Sequence, residues 1–173
     1  MILETATAKS PLGPIQVVAR DGKLCGLEFS NHSGRLTRDL ERRFGTVTRR
    51  PAADPAGAVR ALADYFDGDV QALDTLEVDT GGTAFQRGVW AALRCIPAGK
   101  PISYGELAAR IGAPGAARAV GSANGANPVS LVVPCHRVIA SGGNLGGYGG
   151  GLDRKRWLLD HEAAAVGRIA AAL

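Results

Sequence analysis

Apolar and polar positions alternate over the first thirty residues and then repeat at helical spacing. Ser10-Pro11-Leu12-Gly13-Pro14 is a cluster of turn formers, and Ile15-Gln16-Val17-Val18-Ala19 is rich in strand formers. Asp21-Gly22 is a strong hairpin signal, and residues 24–29 alternate as a half-buried strand does. Leu36, Leu40 and Phe44 then recur every fourth residue, which predicts an amphipathic helix over 35–44. A second helix is predicted over 55–66, ended by Asp67-Gly68, and a polar stretch over 69–82 leads into the second half.

The second half is denser in helix signals. Thr83 is placed to cap a helix carrying Phe85, Val89, Trp90 and Leu93, stopped by Pro97-Ala98-Gly99. Ser103 and Glu106 have the spacing of a capping box and open a short helix containing Leu107 and Ile111. Gly112-Ala113-Pro114 breaks it, and a third helix follows over 114–124. Helix, tight turn, helix is a helix-turn-helix pattern. The third helix is almost all small residues, from which one long cation, Arg118, projects. Such a helix either approaches another surface closely or packs tightly on its own core. Asn127-Pro128 ends the unit, since the residue before proline is pushed out of helical geometry. Leu131-Val132-Val133 reads as a short buried strand, residues 141–151 as a glycine-rich loop, and 153–162 as a last helix burying Trp157, Leu158 and His161.

Composition adds three limits. An apolar fraction of 46% over 173 residues supports one domain or two small ones. No apolar run approaches the ~20 residues of a membrane span, and the first residues lack a secretory pattern; a cytoplasmic protein is expected. Cys25, Cys95 and Cys135 are odd in number and far apart, which argues against a disulfide framework or a structural zinc site. The net charge of +4 is uneven. Residues 1–81 hold 10 Lys/Arg against 12 Asp/Glu, whereas residues 82–173 hold 10 against 4. The second half is therefore where a polyanion is expected to bind, although an ordinary basic surface has the same balance.

One stretch carries chemistry. Pro134-Cys135-His136-Arg137-Val138 sets a cysteine beside a histidine and an arginine, in positive potential that favours the nucleophilic thiolate. Most cysteines are small buried hydrophobes, and the pair alone is a weak signal. Neighbouring residues of a strand also point to opposite faces. His136 therefore needs a bridging water, or a strand that ends at Pro134, to act on Cys135. Glu162, four residues after Leu158, either ends an exposed helix or orients that imidazole; by itself the sequence favours exposure.

The run Pro134-Cys135-His136-Arg137-Val138 resembles the active-site signature of the O6-alkylguanine-DNA alkyltransferases. Phe85-Gln86-x-x-Val89-Trp90, Ile102-Ser103-Tyr104-Gly105-Glu106-Leu107-Ala108, Ala117-Arg118-Ala119-Val120-Gly121 and Gly125-x-Asn127-Pro128 are similar to that family too. So are Gly146-x-Tyr148-x-Gly150-Gly151 and Lys155-x-x-Leu158-Leu159-x-x-Glu162, in the same order across residues 82–163. The resemblance implies an α/β N-terminal domain over 1–80, with a small antiparallel, ribonuclease-H-like sheet and helices. It implies a mostly helical C-terminal domain over 81–173, with a winged helix-turn-helix.

It also implies direct-reversal repair, with one irreversible transfer of the alkyl group of O6-alkylguanine, and of O4-alkylthymine, to Cys135. His136, through a water and backed by Glu162, would take the thiol proton, while Tyr104 would donate to guanine N3. The target lies inside the duplex and must be flipped out. Arg118 would fill the vacated stack, with Ala119, Gly121 and Ser122 against the minor groove. Tyr148, Gly149, Gly150 and Val138 would line the base pocket, and Asn127 would be a hinge. Arg137 would meet either the helix-turn-helix backbone or phosphate. The partner is double-stranded DNA with alkylated bases, and no membrane; no cofactor is needed. A monomer is expected, with cooperativity along DNA left open. Ala126 and Gly149 depart from relatives that carry glycine and serine, and the second change would widen the pocket.

Three other classes compete. A non-catalytic binder of damaged DNA on this scaffold has another residue at the cysteine position. A winged-helix regulator needs more base-reading side chains than the small-residue helix offers. A cysteine hydrolase draws its Cys and His from distant parts of the chain.

Overall fold

A computed structural model describes residues 1–172, which form two compact units. One comprises Met1–Gly81 with Pro128–Val132, the other Gly82–Asn127 with residues 133–172. Residues 128–132, expected in the second unit, thus group with the first.

The first unit is built on a four-stranded sheet in the order β3-β2-β1-β4. Its strands are β1 (Ile2–Ala8), β2 (Ile15–Arg20), β3 (Lys23–Phe29) and β4 (Thr48–Pro51). Asp21 and Gly22 stand at φ 52° and 78°, the paired left-handed conformation of a tight hairpin turn, and join β2 to β3. β1, β2 and β3 pair antiparallel, but β4 runs parallel to β1, so the sheet is mixed rather than purely antiparallel. β4 reads Thr-Arg-Arg-Pro and is exposed throughout, with no alternation to betray it. Its proline is tolerated because an edge strand leaves one side unpaired. Helix α1 (Ser33–Phe44) sets Leu36 and Leu40 on Leu3, Val18 and Cys25 of the sheet. Burial pushes the Cys25 thiol up to about 11, so this cysteine serves as a core residue. Helix α2 (Ala58–Phe66) follows a short 3-10 turn at Pro55–Gly57 and buries Leu62 and Tyr65.

The second unit is mostly helical. Thr83 caps α3 (Ala84–Leu93) through a complete capping box with Gln86. A two-residue strand β5 (Ile102–Ser103) leads into α4 (Tyr104–Arg110), whose Glu106 amide is capped by the Ser103 hydroxyl. After a turn, α5 (Ala117–Gly125) packs against both α3 and α4. The Trp90 indole N–H donates to the Ala123 carbonyl at 2.8 Å and ties α3 to α5. Strand β6 (Val138–Ile139) pairs parallel with β5.

Two predicted elements differ. The strand expected at Leu131-Val132-Val133 is a turn, because Leu131 stands at φ 69° and breaks the extended run. The last helix, α6 (Leu152–Ala172), continues ten residues past Glu162. It buries Lys155, Leu158, Glu162 and Ala165 rather than Trp157 and His161, whose half-buried rings stack on each other 4.8 Å apart. No helix of the described residues is long and apolar enough to cross a membrane.

Candidate active site

Cys135, His136 and Arg137 form one turn of 3-10 helix, not a strand, so strand alternation does not govern where their side chains go. All three are buried. The turn sits between the Cys135 amide, bonded to the Val133 carbonyl at 2.8 Å, and β6. Two asparagines steady it. Asn127 Nδ2 donates to the Val133 carbonyl at 2.7 Å, and Asn124 Nδ2 to the Cys135 carbonyl at 3.3 Å. Both are almost fully enclosed, where an amide without partners is costly.

Glu162 is fully buried, against the sequence's preference for an exposed helix end. The helical repeat explains it: positions 155, 158, 162 and 165 share the inner face of α6. Its carboxylate accepts from Arg137 Nε on Oε1 at 2.9 Å and from Arg137 Nη2 on Oε2 at 2.8 Å. His136 Nε2 meets the same Oε2 at 2.9 Å. Burial alone would push this acid up, but the charges and hydrogen bonds of His136 and Arg137 outweigh it and hold Glu162 well below the usual carboxylate range. An ionised carboxylate only accepts, so Nε2 carries a hydrogen, and in the neutral form of the ring Nδ1 keeps the lone pair. Nδ1 is buried with no hydrogen-bond partner among the described residues.

Arg137 is turned inward to Glu162 rather than to the helix-turn-helix backbone. Its third contact is Nη1 to the Ile96 carbonyl at 2.7 Å, behind α3. Lys155 is a second buried cation to which the sequence reading gave no role. Its Nζ donates to the Val138 carbonyl at 2.6 Å and the Gly147 carbonyl at 3.0 Å, joining β6 to the glycine loop. Burial pushes this ammonium down to about 8, with negative charge at Cys135 acting in the opposite sense. A charged residue at an apolar repeat position is the signal that could have marked it.

Tyr104 opens α4 and is half-buried. A β-carbon on Gly146 would come within 3.2 Å of its hydroxyl, and one on Gly121 within 3.8 Å of its ring. Burial, then negative charge at Cys135, raise its pKa, while hydrogen bonds from the Gly147 amide and the Asn124 side chain pull it back.

Comparison with known proteins places this arrangement. Residues 84–164 match the 6-O-methylguanine DNA methyltransferase, DNA binding domain, and residues 3–80 match the ribonuclease-like domain of the same enzymes. The chain belongs to the 6-O-methylguanine DNA methyltransferase family. A methylated-DNA–protein-cysteine methyltransferase of Salmonella typhimurium is 52% identical over 156 residues, 88% of this chain and 91% of that one. One from Mycobacterium tuberculosis is 46% identical over 159 residues, 90% of each chain. The crystal structure of Mycobacterium tuberculosis OGT in complex with DNA matches with a TM-score of 0.78 at 42% identity, covering 95% of this chain and 94% of that one.

In this family member Arg118, Ala119 and Ser122 lie on the exposed side of α5, and Gly121 is half-covered. The opposite side, Val120, Ala123 and Asn124, is buried, so the small-residue helix both packs on its own unit and offers a bare surface. Tyr148 is half-buried with its ring edge-on to His136, centroids 6.5 Å apart. Gly149 is exposed, whereas Gly150 and Val138 are buried.

Proposed function

We propose that this methyltransferase repairs DNA by direct reversal, moving the alkyl group from O6 of an alkylated guanine onto Cys135 in one displacement. The observation that carries the proposal is the His136–Glu162 contact of 2.9 Å beside Cys135, with Glu162 kept ionised by Arg137. It leaves His136 Nδ1 as the only ring nitrogen able to take a proton. A water between Nδ1 and Sγ would carry the thiol proton to the ring and leave the thiolate that attacks. The carbon–sulfur bond forms as the carbon–O6 bond breaks, and that electron pair goes to the purine. Tyr104 then gives its proton to N3, so that guanine leaves neutral. A thioether on Cys135 has no exit, so each chain acts once.

The reading of DNA rests on the bare face of α5. We take α4, its turn and α5 as the helix-turn-helix of a winged module, with α5 in the minor groove. The exposed Arg118 fills the stack left by the flipped nucleotide, and Ala119, Gly121 and Ser122 allow close approach to the backbone. Little base specificity follows, since the minor groove code is degenerate. Tyr148, Gly149, Gly150 and Val138 line the base pocket, and Asn127 holds α5 to the cysteine turn. The first unit takes the ribonuclease-H-like role of a scaffold. O4-alkylthymine is the second substrate, the acting species is a monomer, and the setting is the cytoplasm.

The test follows an isotopic label on the methyl of one O6-methylguanine in a duplex. After incubation and proteolysis, the label is expected on the peptide containing Cys135. Label that stays in the DNA would overturn the proposal.

A further inference from the structure

Glu28 is a buried acid of the first unit that the proposed chemistry leaves without a task. It lies in β3 and is 3% exposed, where a carboxylate is costly unless both its oxygens are occupied. Oε1 accepts from the Phe29 amide at 3.1 Å, and Oε2 accepts from Arg35 Nη2 at 2.8 Å. Oε2 also accepts from the Ser130 hydroxyl at 3.3 Å, from a residue 102 positions further along the chain.

Ser130 is held by its backbone as well as by its side chain. Its amide donates to the Leu27 carbonyl at 2.9 Å, and the Leu27 amide donates to the Pro128 carbonyl at 3.0 Å. Residues 128–130 thus lie along the edge strand β3, with Val129 bridged to Leu27. The Ser130 carbonyl in turn accepts from the Val132 amide at 2.8 Å, around Leu131 at φ 69°. A bond from one residue to the next but one about a positive φ is the rare form of γ-turn. A buried leucine keeps that conformation only where its surroundings impose it, and such strain gathers where a chain has to be aimed. The chain runs on into a second γ-turn, of the common form, at Pro134 with φ −81° and ψ 68°. The amide that closes it belongs to Cys135 and donates to the Val133 carbonyl at 2.8 Å.

We propose that Glu28, acting through Ser130, is a positioning residue for the alkyl acceptor, holding the left-handed turn from which the chain enters the cysteine turn. Two side chains then fix that entry, Glu28 on Ser130 and Asn127 Nδ2 on the Val133 carbonyl. Without the Ser130 hydroxyl, Leu131 relaxes toward the extended backbone that leucine prefers. The Cys135 thiol then loses its register with His136 and gives up its proton less readily. The inference rests on the methyltransferase reading above and gives the first unit a part in it.

The experiment compares Ser130→Ala, Ser130→Thr, Glu28→Asp and the Glu28→Asp/Ser130→Ala double variant. Each is followed by single-turnover methyl transfer from an O6-methylguanine duplex. The pH dependence of iodoacetamide alkylation is measured beside it, on the peptide containing Cys135. Iodoacetamide needs the thiolate but no DNA, so it reads the cysteine apart from repair. Transfer is expected to slow by about ten- to a hundredfold in Ser130→Ala, and likewise in Glu28→Asp, whose shorter arm falls back from Ser130. The midpoint of the alkylation profile should move to higher pH, and the losses should not add in the double variant. Ser130→Thr, which keeps the hydroxyl, should return both readouts to wild-type values. An unmoved midpoint, additive losses, or a Ser130→Thr chain as slow as Ser130→Ala would overturn the assignment and leave Glu28 a purely structural acid. A wild type that accepts no methyl, while the variants still shift the iodoacetamide profile, would instead overturn the underlying function.

Discussion

Arg137 holds both oxygens of the Glu162 carboxylate, at 2.9 and 2.8 Å, with neither side chain open to solvent. The pair lets a charged acid stand behind His136 in a packed interior, where a lone carboxylate would take up a proton instead. Arg137→Met is therefore expected to cost about 3 kcal/mol or more in stability, since it strands a buried charge. Urea unfolding measures it, and a loss under about 1 kcal/mol, typical of surface pairs, would contradict the account.

The same pair sets an acid limit. Glu162 is held below its unfolded value near 4.5, so its contribution is complete above that pH and fades as pH falls toward the lower folded value. The stability advantage of wild type over Glu162→Gln should accordingly shrink below about pH 4.5. An advantage that stays constant to pH 3 would count against the buried, ionised acid.

Lys155 gives the opposite signature at high pH. Burial brings its ammonium from 10.5 down to about 8, so the folded chain releases this proton earlier than the unfolded chain. Stability gained from relieving that buried charge should rise between about pH 8 and 10.5. The difference in unfolding free energy between wild type and Lys155→Met should increase across that window. A flat difference would mean that the lysine is hydrated in solution.

Much of this was legible in the residues, and the omissions have physical causes. Asp21-Gly22 and the Thr83 cap are local devices, readable because each satisfies its own backbone. No sequence pattern marks β4, because an exposed edge strand needs no apolar alternation. The residues leave open whether the run before Cys135 stays extended, because Leu131, ordinarily extended in such a run, adopts a left-handed conformation that no sequence signal marks. The fates of Arg137 and Glu162 depend on each other across 25 residues, and neither carries a mark of burial by itself. His136 beside Cys135 was visible; which of its nitrogens remains available was not, because Glu162 decides it.

Substitution of Arg118 is expected to separate folding from DNA engagement. It is exposed on α5, so Arg118→Ala should change stability by no more than about 0.5 kcal/mol. Affinity for duplex should fall, and the slope of log affinity against log salt should drop by about one. Transfer from a free O6-alkylguanine base, which needs no flipping, should continue at the wild-type rate. Equal losses on duplex and free base would contradict a role in extruding the nucleotide.

The central claim is that Cys135 is the acceptor and is consumed. The most direct measurement is intact mass of the protein titrated with excess duplex carrying one O6-methylguanine, with Cys135→Ser alongside. The account predicts a gain of one methylene on the wild type, never more than one per chain, and none on the variant. Methylation of the Cys135→Ser chain, or more than one lesion cleared per protein, would contradict it.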